Sequence, residues 1–325
     1  MSTVPLLDIQ NLSVDFATRD GTVHALENVS FQLARGETMG LVGESGSGKS
    51  VSAYAVMRLL GASARVRADR MISGGVDLLT ATDAEVAALR GKRMTMIFQN
   101  ARSALNPIRP IGQQIADVLR VHRAMPRREA RQAAIAALAE VRIPDPERRY
   151  HAYPFELSGG MCQRVMIALA FASEPELLIA DEPTTGLDVT TQAVIMDLIR
   201  EKSSQRRMST ILITHDLTLA AEYCDRFAVM HAGHVVEQGT TADIFERAVH
   251  PYTGLLMKAT PHGASRLSDL AAIPGSLPDL RRDLPPCRFV HRCPHSTPDC
   301  AAALPRVPLD STHEVACHMP WRVPA

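Results

Sequence analysis

The sequence predicts an α/β fold organised around one phosphate-binding loop, because a strand, a glycine-rich loop and a helix follow one another directly. The apolar run 39–42 precedes the loop and the helix-like run 51–60 follows it. Between them, Gly43–Ser50 reads GESGSGKS and matches G-x-x-x-x-G-K-[ST] at every fixed position. Glycines let successive backbone N–H groups turn inward around phosphate oxygens, at a helix N-terminus whose dipole favours an anion. The pattern therefore predicts a nucleoside triphosphate site, since an ordinary Gly/Ser-rich turn would not need the flanking strand and helix.

The composition indicates a globular chain without an excess of charge that would attract one class of partner. The 325 residues carry 35 Lys and Arg against 35 Asp and Glu, which removes any overall attraction to nucleic acid or to an anionic membrane. The sequence has no run of about 18 uncharged apolar residues, and its N-terminus lacks a charged segment followed by a long apolar run. We therefore expect the chain to be neither exported nor membrane-spanning. Its six cysteines then favour reduced thiols or metal ligands over a disulfide scaffold.

The segments around the loop predict a β layer, a further strand and a helical insertion. Residues 6–42 alternate apolar and polar in short runs, which predicts antiparallel strands leading into the loop. The run 93–98 is the next strand and ends at Gln99. From about 100 to 165 the pattern is helical, so an insertion interrupts the α/β core. At its end, Ser158–Gly160 precedes another helix and offers a second anion-binding geometry.

Polar side chains follow two buried strands at the point where each strand ends. The run 177–180 ends in Asp181 and Glu182, and the run 211–214 ends in His215. Short continuous apolar runs of this kind are typical of parallel strands, whose carboxyl ends face the ligand crevice of an α/β sheet. We therefore expect these groups at the same sheet edge as the phosphate loop.

The composition changes near residue 248, and we expect a domain boundary there. A short hairpin around Gly233 and a capped helix near Thr241 complete a core of residues 1–248. Residues 249–325 are rich in proline and predict an extended appendage, the C-terminal extension, with little regular structure.

Four cysteines crowd into this extension, and they predict a ligand site. Their spacing is C-x5-C-x6-C-x16-C, without the short knuckle typical of structural zinc sites, which favours an iron–sulfur cluster. By spacing alone, zinc, a cluster and unligated thiols all stay open. Nearby histidines could substitute for a thiolate that is out of reach, namely His291, His295, His313 and His318.

Six motifs in a fixed order give residues 6 to about 248 a specific resemblance to the nucleotide-binding subunit of ABC transporters. The motifs are the phosphate loop, Gln99, Leu157–Gly160, Leu177–Glu182, Gly186–Asp188 and His215. The rest of the chain is similar to the C-terminal extension of ATPases from dipeptide, oligopeptide and nickel importers, at His250–Thr253, Ile273–Pro278 and the cysteine series. The resemblance implies a P-loop NTPase core of the ABC ATPase type, with an antiparallel β subdomain, a helical insertion subdomain and a small cysteine-containing C-terminal extension.

The resemblance also implies a role for each motif residue. Phe16 would stack on the adenine, although a core strand aromatic is the alternative reading. The other residues expected to bind ATP are Gly43, Glu44, Ser45, Gly46, Ser47, Gly48, Lys49, Ser50, Val51 and Gln99. Mg²⁺ would be held by Ser50, Gln99 and Asp181. Glu182 would polarise the attacking water, and His215 would contact the γ-phosphate and orient Glu182.

Two further motifs belong, by the same resemblance, to a head-to-tail pair of subunits. The signature residues would cap the ATP bound to the opposite subunit, and they are Leu157, Ser158, Gly159, Gly160 and Met161. Asp188 would lie in the loop that meets the opposite subunit.

For the extension, the resemblance implies a [4Fe-4S] cluster on Cys287, Cys293, Cys300 and Cys317, with zinc as the alternative. The expected cofactors are thus ATP, Mg²⁺ and this cluster.

The function implied is that of an ATP-hydrolysing motor for import of di- or oligopeptides. The expected partners are a sister ATP-binding subunit, which we expect to be a non-identical paralogue, two permeases and, through the complex, an extracytoplasmic substrate-binding protein, but no nucleic acid. The subunit would lie on the cytoplasmic face of the inner membrane, with a permease helix docked near Leu105 and Ile108. The alternatives are a nickel importer ATPase and a soluble ABC ATPase without a transport role; the extension disfavours an exporter.

Overall fold

The computed structural model describes residues 4–260 and 272–320, which fall into two compact units. The first unit combines the residues up to Thr80 with those from Leu212 onwards, and the second is Ala81–Ile211. Met1–Thr3, which belong to the N-terminus considered above for a leader segment, lie outside the described residues, as do 261–271 and 321–325 of the extension. Among the helices that the structure describes, none has the length and apolar character needed to cross a membrane.

The described residues form short strands and helices that alternate along most of the chain. The strands are β1 (Leu7–Thr18), β2 (Gly21–Leu33), β3 (Thr38–Val42), β4 (Ala64–Arg67), β5 (Arg70–Ser73), β6 (Val76–Asp77), β7 (Met94–Ile97), β8 (Leu177–Asp181), β9 (Ser209–Thr214), β10 (Arg226–His231), β11 (His234–Thr240), β12 (Val307–Pro308) and β13 (Glu314–Val315). The helices are α1 (Lys49–Val56), α2 (Asp83–Leu89), α3 (Ala101–Ala104), α4 (Ile111–His122), α5 (Arg127–Glu140), α6 (Pro146–Arg149), α7 (Gly159–Phe171), α8 (Val189–Arg206), α9 (Leu217–Tyr223), α10 (Thr241–Glu246) and α11 (Pro251–Lys258).

The first unit contains an antiparallel sheet at its N-terminal end. Its strand order is β2-β1-β5-β6, and β4 also pairs with β1. The β1–β2 register runs from Leu7 opposite Leu33 to Thr18 opposite Gly21. Apolar residues of β1 such as Ile9 are fully buried, because a period of two places them on one face of the pleated strand.

A second set of strands in the first unit carries the phosphate loop. Its order is β12-β13-β11-β10-β3, with β3 parallel to β10 and the remaining pairs antiparallel. The β10–β11 turn places Ala232 and Gly233 at φ 47° and 86°, values typical of a tight hairpin turn. Thr240 and Asp243 form a reciprocal capping box at the start of α10. The predicted hairpin and the predicted capped helix are both confirmed.

The second unit combines two parallel strands with a group of helices. Every residue of β7 and β8 is buried, and the two strands are parallel neighbours. In α4, Ile111, Ile115 and Leu119 recur every four residues and are buried on one face, as an amphipathic helix requires. The helix α5 packs against this helix. Strand β9 begins in the second unit and ends in the first.

Candidate nucleotide-binding site

The phosphate loop (residues 43–50) joins β3 to α1 and depends on glycines for its shape. Gly43, Gly46 and Gly48 have φ values of 147°, 82° and 105°, which side chains other than glycine rarely adopt. A Cβ atom at Gly43 would also lie 2.1 Å from the carbonyl oxygen of Met230. A larger residue at this position is therefore excluded by both the backbone angle and the neighbouring strand.

Lys49 begins α1 and folds back over the loop. Its Nζ donates hydrogen bonds to the carbonyl oxygens of Gly43 (2.8 Å) and Glu44 (2.9 Å), and the residue is 6% exposed. The ammonium group thus lies against the first residues of the loop, whose last residues open α1. A cation together with N–H groups at a helix N-terminus is a suitable arrangement for phosphate oxygens.

In the second unit, the structure brings together two of the predicted site residues, Gln99 and Glu182. Asp181 is 2% exposed at the end of β8, and Glu182 follows it. Gln99 Nε2 donates to Glu182 Oε2 at 2.7 Å, and Thr185 Oγ1 donates to the same oxygen at 2.8 Å. Glu182 has φ 47°, a left-handed conformation that is costly for a glutamate and occurs preferentially at functional sites.

The predicted signature residues surround the N-terminus of α7. Ser158 caps this helix by accepting a hydrogen bond from the backbone N–H of Met161 at 3.3 Å. The carbonyl oxygen of Leu157 accepts one from Arg102 Nη2 at 3.0 Å. A Cβ built on Gly159 meets no atom within 4 Å among the described residues, so the start of this helix presents open backbone. Such a helix end can accept an anion.

Asp188 holds the start of the following helix. Its carboxylate accepts hydrogen bonds from the backbone N–H (3.0 Å) and the hydroxyl (2.7 Å) of Thr191. The hydroxyl hydrogen bond is the main reason that the pKa of Asp188 lies below its usual value. The side chain is therefore an ionised N-cap of α8 near neutral pH.

Three other predicted residues lie in the first unit. Phe16 is half-buried in β1, opposite Val23 of β2 and Ala64 of β4. Val51 is half-buried in α1, and His215 is exposed directly after β9. These placements leave the expected adenine and γ-phosphate contacts as predictions.

No disulfide joins the four cysteines of the extension, all of which lie in the described residues, and they do not form a compact zinc-like group. Within residues 4–260 and 272–320, Asp243, Asp310 and His313 form the single group whose potential metal-binding atoms all lie within 4.8 Å of one another. A tetrahedral zinc site would place its sulfurs about 3.8 Å apart, as follows from a Zn–S distance of about 2.3 Å. No three of the four sulfurs approach this geometry. His313, an expected substitute ligand, instead contacts Glu237 Oε1 through Nε2 at 2.8 Å.

Three of these cysteines nevertheless share one local geometry, and all four lie in one neighbourhood. Burial raises the pKa values of Cys287 and Cys293, and it raises that of Cys317 to about 11. The negative charges of the other three thiolates raise the pKa of Cys317 further. Each of the three thiols accepts a hydrogen bond from the backbone N–H two residues further along the chain.

The side chains of the extension that contact the phosphate loop could not be identified from the sequence. The hydroxyl oxygen of Tyr252 accepts a hydrogen bond from the backbone N–H of Glu44 at 3.0 Å, and Arg292 forms an ion pair with the Glu44 carboxylate. These partners are 208 and 248 residues away from Glu44, so no local pattern could indicate them.

Two family models match the chain. Residues 26–185 match the ABC transporter family. Residues 236–300 match the family described as the C-terminal region of oligopeptide and dipeptide transporters.

Curated relatives match over nearly the whole length. A putative peptide import ATP-binding protein of Brucella abortus (strain 2308) is 46% identical over 331 residues, covering 100% of this chain and 97% of the relative. The probable D,D-dipeptide transport ATP-binding protein DdpD of Escherichia coli (strain K12) is 50% identical over 293 residues, covering 90% of this chain and 89% of the relative.

Solved structures support the fold. A dimeric structure of MJ0796, a bacterial ABC transporter cassette, matches with a TM-score of 0.66 and 25% identity, over 72% of this chain and 98% of that chain. A dimeric post-hydrolysis state of the same cassette, bound to ADP and Pi, matches with a TM-score of 0.63 and 26% identity, over 72% of this chain and 98% of that one. The ABC ATPase fold predicted from the motif order is therefore confirmed, and with it the use of ATP and Mg²⁺. The chain belongs to the ABC transporter family, among the ATP-binding proteins of peptide importers.

Proposed function

We propose that this chain is the motor subunit of an importer for short peptides and couples ATP hydrolysis to uptake through separate permeases. The observation that carries the proposal is the phosphate loop, in which Lys49 and three glycines with positive φ create a cationic cradle of N–H groups. The match of residues 236–300 to the peptide-transporter region favours a peptide over nickel as the solute. The names of the relatives agree with this choice.

In the proposed site, residues 43–50 bind the ATP phosphates, Lys49 neutralises the β- and γ-phosphates, and Phe16 stacks on the adenine. Ser50, Gln99 and Asp181 would hold Mg²⁺, which offsets phosphate charge when bound. The burial of Asp181 at the end of β8 supports its role as a fixed oxygen ligand.

Glu182 is the proposed base, and its surroundings support that role. Gln99 and Thr185 both donate to Oε2, which fixes the orientation of the carboxylate that would accept a hydrogen bond from the attacking water. Hydrolysis of this kind needs little covalent chemistry from the protein, because positioning and charge stabilise the transition state. His215 would contact the γ-phosphate.

The signature residues 157–161 are proposed to act on the ATP of a second subunit. The open helix end at Gly159 supports this role, since a phosphate from outside the subunit could reach its backbone. The dimeric structures of the similar cassette support a two-subunit arrangement. A non-identical paralogue is the sister subunit that we propose.

Permeases and an extracytoplasmic substrate-binding protein complete the proposed complex, with this subunit on the cytoplasmic face of the membrane. Ile108 is 81% exposed and could contact a permease helix. Leu105 is 2% exposed, so the expectation that its side chain takes part in docking is wrong. The apolar surface of this chain that contacts the permease is therefore proposed to lie around Ile108 alone.

We further propose that Cys287, Cys293, Cys300 and Cys317 bind a [4Fe-4S] cluster rather than zinc. No three of the sulfurs lie within 4.8 Å of one another, as a zinc tetrahedron would require, whereas the four ligands of a cubane cluster each bind a different iron and are more widely separated. Three recurrent N–H hydrogen bonds to the thiols also suit a cluster, whose sulfurs commonly accept such bonds. When bound, the cluster would further stabilise a proline-rich segment that has little apolar core of its own.

Two experiments test these proposals. In the complex reconstituted with permeases and binding protein, we expect short peptides to stimulate ATP hydrolysis and Lys49→Ala to abolish ATP binding; stimulation by nickel instead of peptides would refute the proposed solute.

Anaerobic purification should yield about four irons per chain. Cys293→Ser should lose this iron, and Cys162→Ser, which changes a buried cysteine outside the set, should keep it. Stoichiometric zinc, or no metal, would contradict the cluster.

A further inference from the structure

The C-terminal extension contacts the phosphate loop through an arginine fork. Arg292 Nη1 donates to Glu44 Oε2 at 2.7 Å, and Nη2 donates to Glu44 Oε1 at 2.9 Å. Two parallel hydrogen bonds of this kind fix the carboxylate in both distance and orientation, which a lysine could not do. Glu44 is the second residue of the loop and lies between Gly43 and Gly46, two residues with a flexible backbone.

Arg292 is itself held rigidly. The residue is 7% exposed, and Nε donates to the carbonyl oxygen of Pro274 at 2.7 Å. Its Nη1 also donates to His231 Nε2 at 3.1 Å. Burial, and next the charge of Arg292, lower the pKa of His231 to about 3, so this imidazole stays neutral and can accept the hydrogen bond. The guanidinium is thus fixed by two other parts of the first unit, Pro274 and His231, in addition to Glu44.

A second contact holds the backbone of the same loop residue. The Glu44 N–H donates to the Tyr252 hydroxyl oxygen at 3.0 Å, and Tyr252 is fully buried. The Tyr252 ring packs edge-on against His231 and Phe289, with centroid separations of 4.7 and 5.4 Å. Near the middle of the loop, a Cβ on Gly46 would lie 3.3 Å from the Leu277 side chain. Two loop residues, Glu44 and Gly46, therefore lie against three separate segments of the extension.

These contacts matter because a glycine-rich loop has many conformations to lose when it closes around phosphate. Glycine loses more conformational entropy on ordering than any other residue. Fixing Glu44 by both its side chain and its N–H removes part of that loss before ATP arrives, and pre-organisation of this kind raises affinity without adding a contact to the ligand.

We propose that Arg292 is a positioning residue for ATP binding, which acts through Glu44 to hold the phosphate loop in its binding conformation. This inference rests on the proposed role of residues 43–50 in binding ATP. It assigns the extension a direct part in nucleotide affinity, in addition to any ligand that its cysteines hold.

The test compares Arg292→Gln with a closely matched control, Arg288→Gln, in the full-length chain. Arg288 is also buried (4% exposed) and lies next to Cys287, as Arg292 lies next to Cys293. It pairs with Glu27 and donates to the Ala232 carbonyl oxygen rather than to the loop. Equilibrium binding of ATP in EDTA, steady-state kinetics with Mg²⁺ and thermal unfolding are measured for both variants.

We expect Arg292→Gln to weaken ATP and ADP binding about tenfold, which equals about 1.4 kcal/mol, and to raise KM while kcat at saturating ATP stays near the wild-type value. Arg288→Gln should lower the thermal midpoint without changing nucleotide affinity. If both variants lose affinity in proportion to their lost stability, Arg292 has only a structural role and the proposal is wrong.

Two further variants separate the remaining outcomes. Glu44→Gln and the double variant Glu44→Gln/Arg292→Gln should each bind ATP about as weakly as Arg292→Gln, since residues that act through one contact are not additive; additive losses would overturn the proposal. Lys49→Ala distinguishes the failures. Normal affinity in Arg292→Gln with lost affinity in Lys49→Ala refutes only the positioning role, whereas normal affinity in Lys49→Ala refutes the proposed role of the loop as well.

Discussion

Glu182→Gln is expected to keep ATP binding and to lose nearly all turnover. Glu182 Oε2 accepts hydrogen bonds from Gln99 Nε2 at 2.7 Å and from Thr185 Oγ1 at 2.8 Å. A glutamine oxygen can accept both bonds, so the shape and position of the side chain are retained while its negative charge is lost. The substitution therefore isolates the effect of the carboxylate on the attacking water.

The size of the loss follows from the role assigned to the carboxylate. A positioned general base contributes about 10²- to 10⁴-fold in rate, which corresponds to about 3 to 5 kcal/mol of activation free energy. Gln99→Ala removes one of the two bonds that orient Glu182, and a bond worth about 1 kcal/mol predicts a loss of at least about fivefold. Phosphate release at saturating ATP measures kcat, and equilibrium binding measures ATP affinity in the same preparations.

Glu176→Gln is the matched control for this experiment. Glu176 immediately precedes β8, whereas Glu182 follows it, and Arg93 Nε donates to Glu176 at 2.6 Å. We expect this variant to hydrolyse ATP at the wild-type rate, because its carboxylate lies at the opposite end of the strand. Full activity in Glu182→Gln, or an equal loss in Glu176→Gln, would remove Glu182 from the proposed mechanism.

Three other substitutions test the packing and the charges of the first unit. Gly48→Ala should lower the free energy of unfolding by about 2 kcal/mol in denaturant titrations, because φ is 105° and the new Cβ would lie 2.6 Å from a leucine methyl; an unchanged midpoint would contradict this. Glu237→Gln should cost about 2 to 4 kcal/mol by the same measurement, since the buried carboxylate accepts hydrogen bonds from two backbone N–H groups and contacts His313. A hydrogen bond from His234 is the main cause that lowers the pKa of Glu27 from 4.5 to about 2, so this carboxylate stabilises the fold above pH 4.5 and loses that effect as the pH falls towards 2. Glu27→Gln should therefore make the acid-induced loss of stability less steep over this interval, and an identical pH profile would refute the assignment.

The features that the sequence predicted correctly are those set by neighbouring residues. The strand, loop and helix around Gly43–Ser50 follow from a local pattern, and so does the hairpin at Gly233. The capping box at Thr240 is similarly local, because its partner Asp243 is three residues away. Placement of Gln99 beside Glu182 could also be expected, since both follow parallel strands that pair directly.

Features that depend on distant contacts could not be predicted. Nothing near Arg292 indicates that its fork reaches a carboxylate 248 residues earlier. Leu105 and Ile108 illustrate the same limit at short range, because two similar apolar side chains in one segment differ from 2% to 81% exposed. Burial of a single residue is decided by the tertiary packing around it rather than by its own apolar character.

The contacts of the extension also explain why a proline-rich segment can be ordered at all. A short segment with few large apolar residues buries too little surface to offset its conformational entropy. Here β13 adds to the edge of β11, with Val315 opposite Glu237, and the Glu237 carboxylate also accepts hydrogen bonds from the backbone N–H groups of Val249 and His250. The matched peptide-transporter region, 236–300, begins inside β11 and thus on the core side of the boundary predicted at residue 248. The extension is therefore ordered largely by the core strand on which it packs, and the phosphate loop is in turn held by the extension.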